Sequence, residues 1–479
     1  MRAALTIILG LLLAACASQG ERVVPPAQQL AGGTLEAERS LAGAPAGEWP
    51  SERWWSAFGD TQLDSLIDEA LAGSPTLAVA AARMRQAQAQ LDAAVARAAP
   101  GTEGEFDLSR QRFTATGIYP PPLGGASWTV AQLAVNFDYE IDFAHRNDAA
   151  IAAAHAQAFA TGADAYAARL ALASGIARAY FQLQGLFAQR DVDRDELAQR
   201  EQLQTLVRQR VAAGLETKLP LARARALPPA LRAQIAQLDA AIALARNQLA
   251  ALAGKGPDRG LSLAPAEPRN VAGGVPATLP LDLLGRRPDL AAARWRAAAA
   301  ARRIDYAQAQ FMPNVDLTAF AGLSSLGLNN LLQSGSTIWG VGPAVRLPLF
   351  SAGVLRAGLR GSEAEYDLAV EQYNALLIDA VREVADQVQT LRALANEARE
   401  RRVALAAVQR AYDLAFERYR GGLADFLSVL DAQSALFAQR RAMADLHVRT
   451  LQADVALDRA LGGGYQDRAP ITTEHRSMK

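Results

Sequence analysis

Few side chains in this sequence have types and spacings that could do chemistry. The four histidines, His145, His155, His447 and His475, stand far apart and show no metal-ligand spacing. No glycine-rich phosphate loop follows a predicted strand. Arg286-Arg287-Pro288-Asp289 carries the charge of a binding motif, but a proline followed by an acid at a helix N-terminus explains it as a helix start. No catalytic constellation, cofactor or metal is therefore expected. The single cysteine, Cys16, is different. Arg2 supplies a positive start, Ala3 to Leu12 form a short apolar run, and Leu13-Ala14-Ala15 lead directly into Cys16. That order reads as an export signal over residues 1–15, with the thiol at the small-residue cleavage position. With no second cysteine no intramolecular disulfide can form, so modification of this thiol is the one covalent chemistry expected.

Length, charge and hydropathy bound the body that surrounds these residues. At 479 residues the chain exceeds one growing core, which implies several domains or one elongated body, and the elongated body is preferred. The formal net charge is +0 and no long basic stretch occurs, so the electrostatic footprint of a nucleic-acid partner is missing. Beyond the N-terminus no run of about 18 apolar residues appears, so any membrane crossing must use strands.

The chain repeats itself. SPTLAVAAARMRQAQAQLDAAVARAAP parallels RPDLAAARWRAAAAARRIDYAQAQFMP, pairing Pro75 with Pro288 and Pro100 with Pro313 at one offset. RQRVAAGLETKLPLARARA parallels ERYRGGLADFLSVLDAQSA, pairing Gly214 with Gly422 and continuing to Gly254 and Gly462. The predicted organisation is a signal peptide (1–15), an N-terminal segment (16–60), a first copy (61–270), a second copy (271–464) and a tail (465–479).

Each copy opens with an Ala-rich helix after Pro75 or Pro288 that stops before Pro100 or Pro313. Two strands follow. Leu133, Val135, Phe137, Tyr139 and Ile141 alternate with Gln132, Asn136, Asp138, Glu140 and Asp142, the period of a strand with one apolar and one polar face. In the second copy Val315, Leu317, Ala319, Ala321 and Leu323 share one parity, as do Trp339, Val341, Val345 and Leu347; Glu103 to Phe113 is the least regular strand. Long helices, from about Asn147 to Ala212 and from about Gly353 to Arg420, come next. At 1.5 Å per residue each spans ~100 Å. Glycine turns at Ala213 to Glu216 and Gly421 to Ala424 reverse the chain into return helices ending at Gly254 and Gly462. Pro228-Pro229 predicts a break or kink in the first return helix, because interior prolines remove hydrogen bonds. Four strands per chain cannot close a barrel in hydrocarbon, so oligomerisation is required; spacing alone permits two copies or three.

Two resemblances sharpen this reading. Leu13-Ala14-Ala15-Cys16 resembles the bacterial lipobox, which implies acylation of Cys16 through its sulfur; Ala17 after it resembles the sorting position of lipoproteins destined for the outer membrane. The pieces WPSERWWSAFGDTQLDSLIDEAL, FDYEIDFAHRNDAAIAAA, LGRRPDLAAARWRAAAAARRIDYAQAQFMPNVDLTAF, LPLFSAGVLRAGL and ERYRGGLADFLSVLDAQSALFAQRR resemble, in order and spacing, the TolC-like outer-membrane efflux family in its NodT-type lipoprotein branch. They run from about Trp49 to Gly464.

The resemblance implies an α+β membrane protein: a homotrimer with a twelve-stranded β-barrel in the outer membrane, four strands per chain, continued by a long α-helical barrel across the periplasm. It implies a passive exit duct fed by a periplasmic adaptor and an inner-membrane pump of the RND type. The alternative on the same fold is the exit channel of a type I protein secretion system. Carried over residue by residue, Asp431 matches the aspartate that rings the periplasmic constriction and Leu427 an apolar ring position one turn earlier. Tyr419 and Arg418 match groups that tie the coils together, and Ser428 stands where some members carry a second aspartate. Gly214, Leu215, Gly421, Gly422 and Leu423 form the turns that face the adaptor. Phe143-Ala144-His145-Arg146 departs from the family's usual aromatic-glycine-arginine piece.

Overall fold

The computed structural model describes residues 24–31, 35–41, 47–267, 285–348 and 351–467, with 269, 274, 276 and 283 between them. Cys16, the signal segment and most of the tail lie outside the described residues. The elements run α1 (Thr61–Gly73), α2 (Pro75–Ala98), β1 (Gly101–Arg112), β2 (Ser127–Glu140), α3 (Arg146–Ala212) and α4 (Lys218–Leu252). Then follow α5 (Pro288–Ala309), β3 (Asn314–Leu326), β4 (Thr337–Arg346), α6 (Ala352–Arg420) and α7 (Phe426–Ala460). The order helix, two strands, long helix, return helix thus occurs twice. No helix among the described residues is long and apolar enough to cross a membrane.

The chain divides into two compact units, and each draws on both halves of the sequence. The first contains residues 83–161 and 292–373 and holds the sheet. Its strands are antiparallel in the order β1-β2-β3-β4, so β1 and β4 are edges with no further strand among the described residues. Register places Leu133 beside Phe106 and Leu323, and Ala321 beside Trp339. This face is apolar and yet open: Phe106, Leu133, Val135, Trp339, Val341 and Val345 are all exposed. The opposite face carries Glu103, Glu105, Asp107, Asn136, Asp138 and Asp316; Asn136 donates to Glu105 at 3.1 Å and Arg346 pairs with Asp316 at 2.6 Å. Helices in this unit pack through Ala307, Phe311 and Leu359 and through a stacked pair, Phe159 and Trp295, at 4.9 Å.

The second unit contains residues 30–82, 162–291 and 374–479. Its core joins Trp55, Phe58 and Leu63 to Tyr180, Phe181 and Phe187 of α3 and Leu249 of α4. Asp60 caps α1 by accepting from the backbone of Gln62 and Leu63, while its second oxygen accepts from the Tyr180 hydroxyl at 2.6 Å. Arg287, predicted only as part of a helix start, is 6% exposed. It donates to Asp289 at 2.6 Å, to Glu383 of α6 at 2.9 Å and to the Ala460 carbonyl of α7 at 3.2 Å. In this unit the N-terminal segment lies along α6: Leu30 N–H donates to Asn374, and the carbonyls of Ser40 and Leu41 accept from Gln389 and Arg392.

Of the break or kink expected at Pro228-Pro229, the break is corrected: α4 runs unbroken from Lys218 to Leu252 with both prolines inside it. Proline fixes φ near the helical value, so a ring can be carried when neighbouring packing holds the turns above and below. Pro228, Ala224 and Leu231 are buried and supply that packing. The carbonyls of Ala224 and Arg225 nonetheless lose their donors four residues on, a local weakness in this helix alone.

Candidate functional site at the helix-reversal turns

Both long helices end in the same backbone solution. At the first turn Gly214 has φ of +70°, and Leu215 N–H donates to the Arg210 carbonyl at 2.9 Å. At the second, Gly422 has φ of +75° and Leu423 N–H donates to the Arg418 carbonyl at 2.8 Å. Six-to-one closure of this kind needs a left-handed residue, which only glycine adopts at little cost. Gly421 leads into the second turn. The return helix α7 is then capped by Asp425, which accepts from the Ser428 hydroxyl and from Ser428 N–H at 2.9 Å; those bonds, the hydroxyl's first, hold its carboxyl below the usual range.

The two turns are tied to each other. Leu203, Val207, Ala224, Tyr419, Phe426 and Val429 form one buried cluster contributed by both hairpins. Tyr419 is fully buried; its hydroxyl donates to Glu216 at 3.0 Å, and Arg210 lies 4.9 Å above its ring while donating to the Tyr419 carbonyl. Burial, with the Glu216 bond second, pushes the Tyr419 phenol well above its ordinary range, so it stays a neutral donor. Arg418, by contrast, is exposed and ties nothing through its side chain among the described residues. Further up the coils Arg441 of α7 reaches Asp193 at 2.9 Å and Glu196 at 2.7 Å on α3, and Arg200 donates to Ser434 at 3.0 Å.

Asp431 and Leu427, one turn apart on α7, are both exposed, together with Ser428. The structure thus places the predicted constriction residues on one open face of the return helix, while Phe426 and Val429 on the other face enter the core. Leu215 and Leu423 stand out at the turns, 67% and 74% exposed. Arg210 and Glu216 are the members of this site that the sequence did not reveal. Glu216 aligns with Ala424 in the second copy, so the repeat conceals it, and its partner is some two hundred residues away.

Paired long helices reversing at glycine turns, joined to an antiparallel sheet with two open edges, define a TolC-like channel subunit. Comparison with known proteins agrees. The profile of the family described as outer membrane efflux protein matches residues 66–255 and 279–463, and the chain belongs to that family. It is accordingly an outer-membrane efflux protein, an exit duct. The multidrug resistance outer membrane protein MdtP of Escherichia coli K12 is 34% identical over 429 residues, covering 87% of each chain. The pyoverdine export outer membrane protein OpmQ of Pseudomonas aeruginosa is 33% identical over 428 residues, covering 86% of this chain and 88% of its own. The crystal structure of the outer membrane protein VceC from Vibrio cholerae superposes with a TM-score of 0.82 at 37% identity, covering 87% of this chain and all of that one.

Proposed function

We propose that three copies of this chain close into a twelve-stranded barrel continued by a helical tunnel, the outer-membrane duct of a tripartite efflux pump that catalyses no reaction. The observation that carries this reading is the open sheet. Two unpaired edges and an exposed apolar face are tolerable in hydrocarbon only when further copies pair the edges and lipid covers the face. The acidic opposite face then lines the lumen. In the same reading the two halves of the chain are copies of one unit, Cys16 is acylated, and the N-terminal segment leads from that anchor along α6. A periplasmic adaptor engages the turns at Gly214, Leu215, Gly421, Gly422 and Leu423, and an RND-type inner-membrane pump supplies cargo. Small molecules are the proposed cargo class, since the relatives are named for multidrug resistance and pyoverdine export.

The Asp431 carboxylates of three chains converge on the axis with Leu427 beside them. Three carboxylates around a narrow pore attract cations and obstruct multivalent ones. The direct test is mass in detergent. The reading requires particles of three chains; a monodisperse monomer would end it.

A further inference from the structure

The second unit contains a cavity of about 320 Å³ that the conducting architecture does not use. It lies between residues 50–55, the stretch of α3 around Tyr166 and Arg169, and residues 462–466 after α7. Glycine makes this close approach possible. A Cβ on Gly464, at φ of +84°, would lie 2.4 Å from the Glu52 nitrogen, and one on Gly463 would lie 2.2 Å from the Leu170 side chain.

Unsatisfied donors gather here. Arg169 is partly buried and has no carboxylate or other hydrogen-bond partner among the described residues. Trp54 is 3% exposed, and its indole nitrogen, beside Gly463, has no acceptor among them. Trp55 Nε1, fully buried below, has none either. Buried donors are nearly always paired, and a hollow with convergent unpaired donors has the character of a binding pocket. Tyr166 and Tyr465, with ring centroids 5.2 Å apart at 59°, add aromatic surface; Glu52 and Gln466 add acceptors.

From this arrangement we infer that the cavity binds a saccharide unit bearing a carboxylate, of the N-acetylmuramic acid kind that alternates along cell-wall glycan strands. The carboxylate pairs with Arg169, whose planar fork suits it. The Trp54 indole N–H donates to a ring or amide oxygen, the apolar sugar face lies on the tyrosines, and Glu52 and Gln466 accept from hydroxyls. An apolar ligand would leave Arg169 unpaired, and a phosphate would find one cation only.

The test titrates the full-length protein in detergent with N-acetylmuramic acid, using N-acetylglucosamine as the carboxylate-free control, and sediments it with purified wall sacculi. Saturable binding of the acidic sugar is expected, weakened roughly tenfold or more in the control sugar and in Arg169→Ala and Tyr166→Ala, with Arg169→Lys partly retained. Circular dichroism confirms that the variants fold; should one not, the wild-type preference between the two sugars decides. No saturable binding, or equal binding of both sugars, overturns the site. Binding of the free sugar without co-sedimentation supports the site and overturns the wall as its source. Channel conductance is independent of all these outcomes.

Discussion

Asp454 shows how much one side chain can hold against solvation. It is 3% exposed on α7, one of its carboxylate oxygens has no partner, and burial pushes it up to about 8, with the charge of Asp458 one turn on as a lesser cause. Asp458 is itself raised to about 7 by burial. A carboxyl raised in the folded state contributes its full stability below the unfolded value near 3.8 and loses it as pH climbs through the folded value. Stability should therefore fall between about pH 4 and pH 8. Asp454→Asn should melt higher than wild type at pH 9 and nearly equal to it at pH 4; a variant less stable at pH 9 would refute the assignment. At the turns, Glu216→Ala removes the acceptor of the buried Tyr419 hydroxyl and the partner of Arg210. An orphaned buried donor costs about 1–3 kcal/mol, so amide exchange over residues 205–225 should quicken by about tenfold or more. Unchanged exchange would mean that apolar packing alone holds the tips. Of these residues the sequence offered Tyr419, Leu427 and Asp431 through resemblance. Asp454 and Arg441 carry no sequence signal of their own, because burial and pairing depend on distant neighbours such as the Asp193 and Glu196 that Arg441 meets.

Elements were more legible than residues, for physical reasons that differ between them. The long helices expected near Asn147 to Ala212 and Gly353 to Arg420 are found at Arg146–Ala212 and Ala352–Arg420, since proline-poor Ala-rich runs bounded by glycine turns leave little ambiguity. Strand β2 was announced by its period of two, whereas β1, with Gly101 and Gly104 and a run of polar residues, announced itself poorly. Pro228-Pro229 did not break its helix, because tertiary packing around Leu231 outweighs the local penalty. The penalty should still be measurable. Replacing both prolines by alanine restores two backbone donors, and exchange of amides at residues 221–227 should slow relative to wild type. No change would show that the two carbonyls are already satisfied in another way.

At the scale of the molecule, the proposed duct rests on a sheet whose two edges carry no further strand among the described residues. In that proposal lipid covers its exposed apolar face, further copies pair its edges, and its acidic face lines a wet interior. Copy number was not legible in spacing alone, which permitted two copies or three; resemblance supplied three. Conduction through a closed ring follows from this account, and so does control of it at the α7 face that carries Asp431. The most direct measurement is single-channel recording of the full chain in planar bilayers, with wild type and Asp431→Ala side by side. The account predicts discrete cation-preferring channels for wild type, and larger conductance, weaker cation preference and weaker block by multivalent cations for the variant. Folded protein that yields no channels, or a variant identical to wild type in all three respects, would contradict the duct in the first case and its constriction in the second.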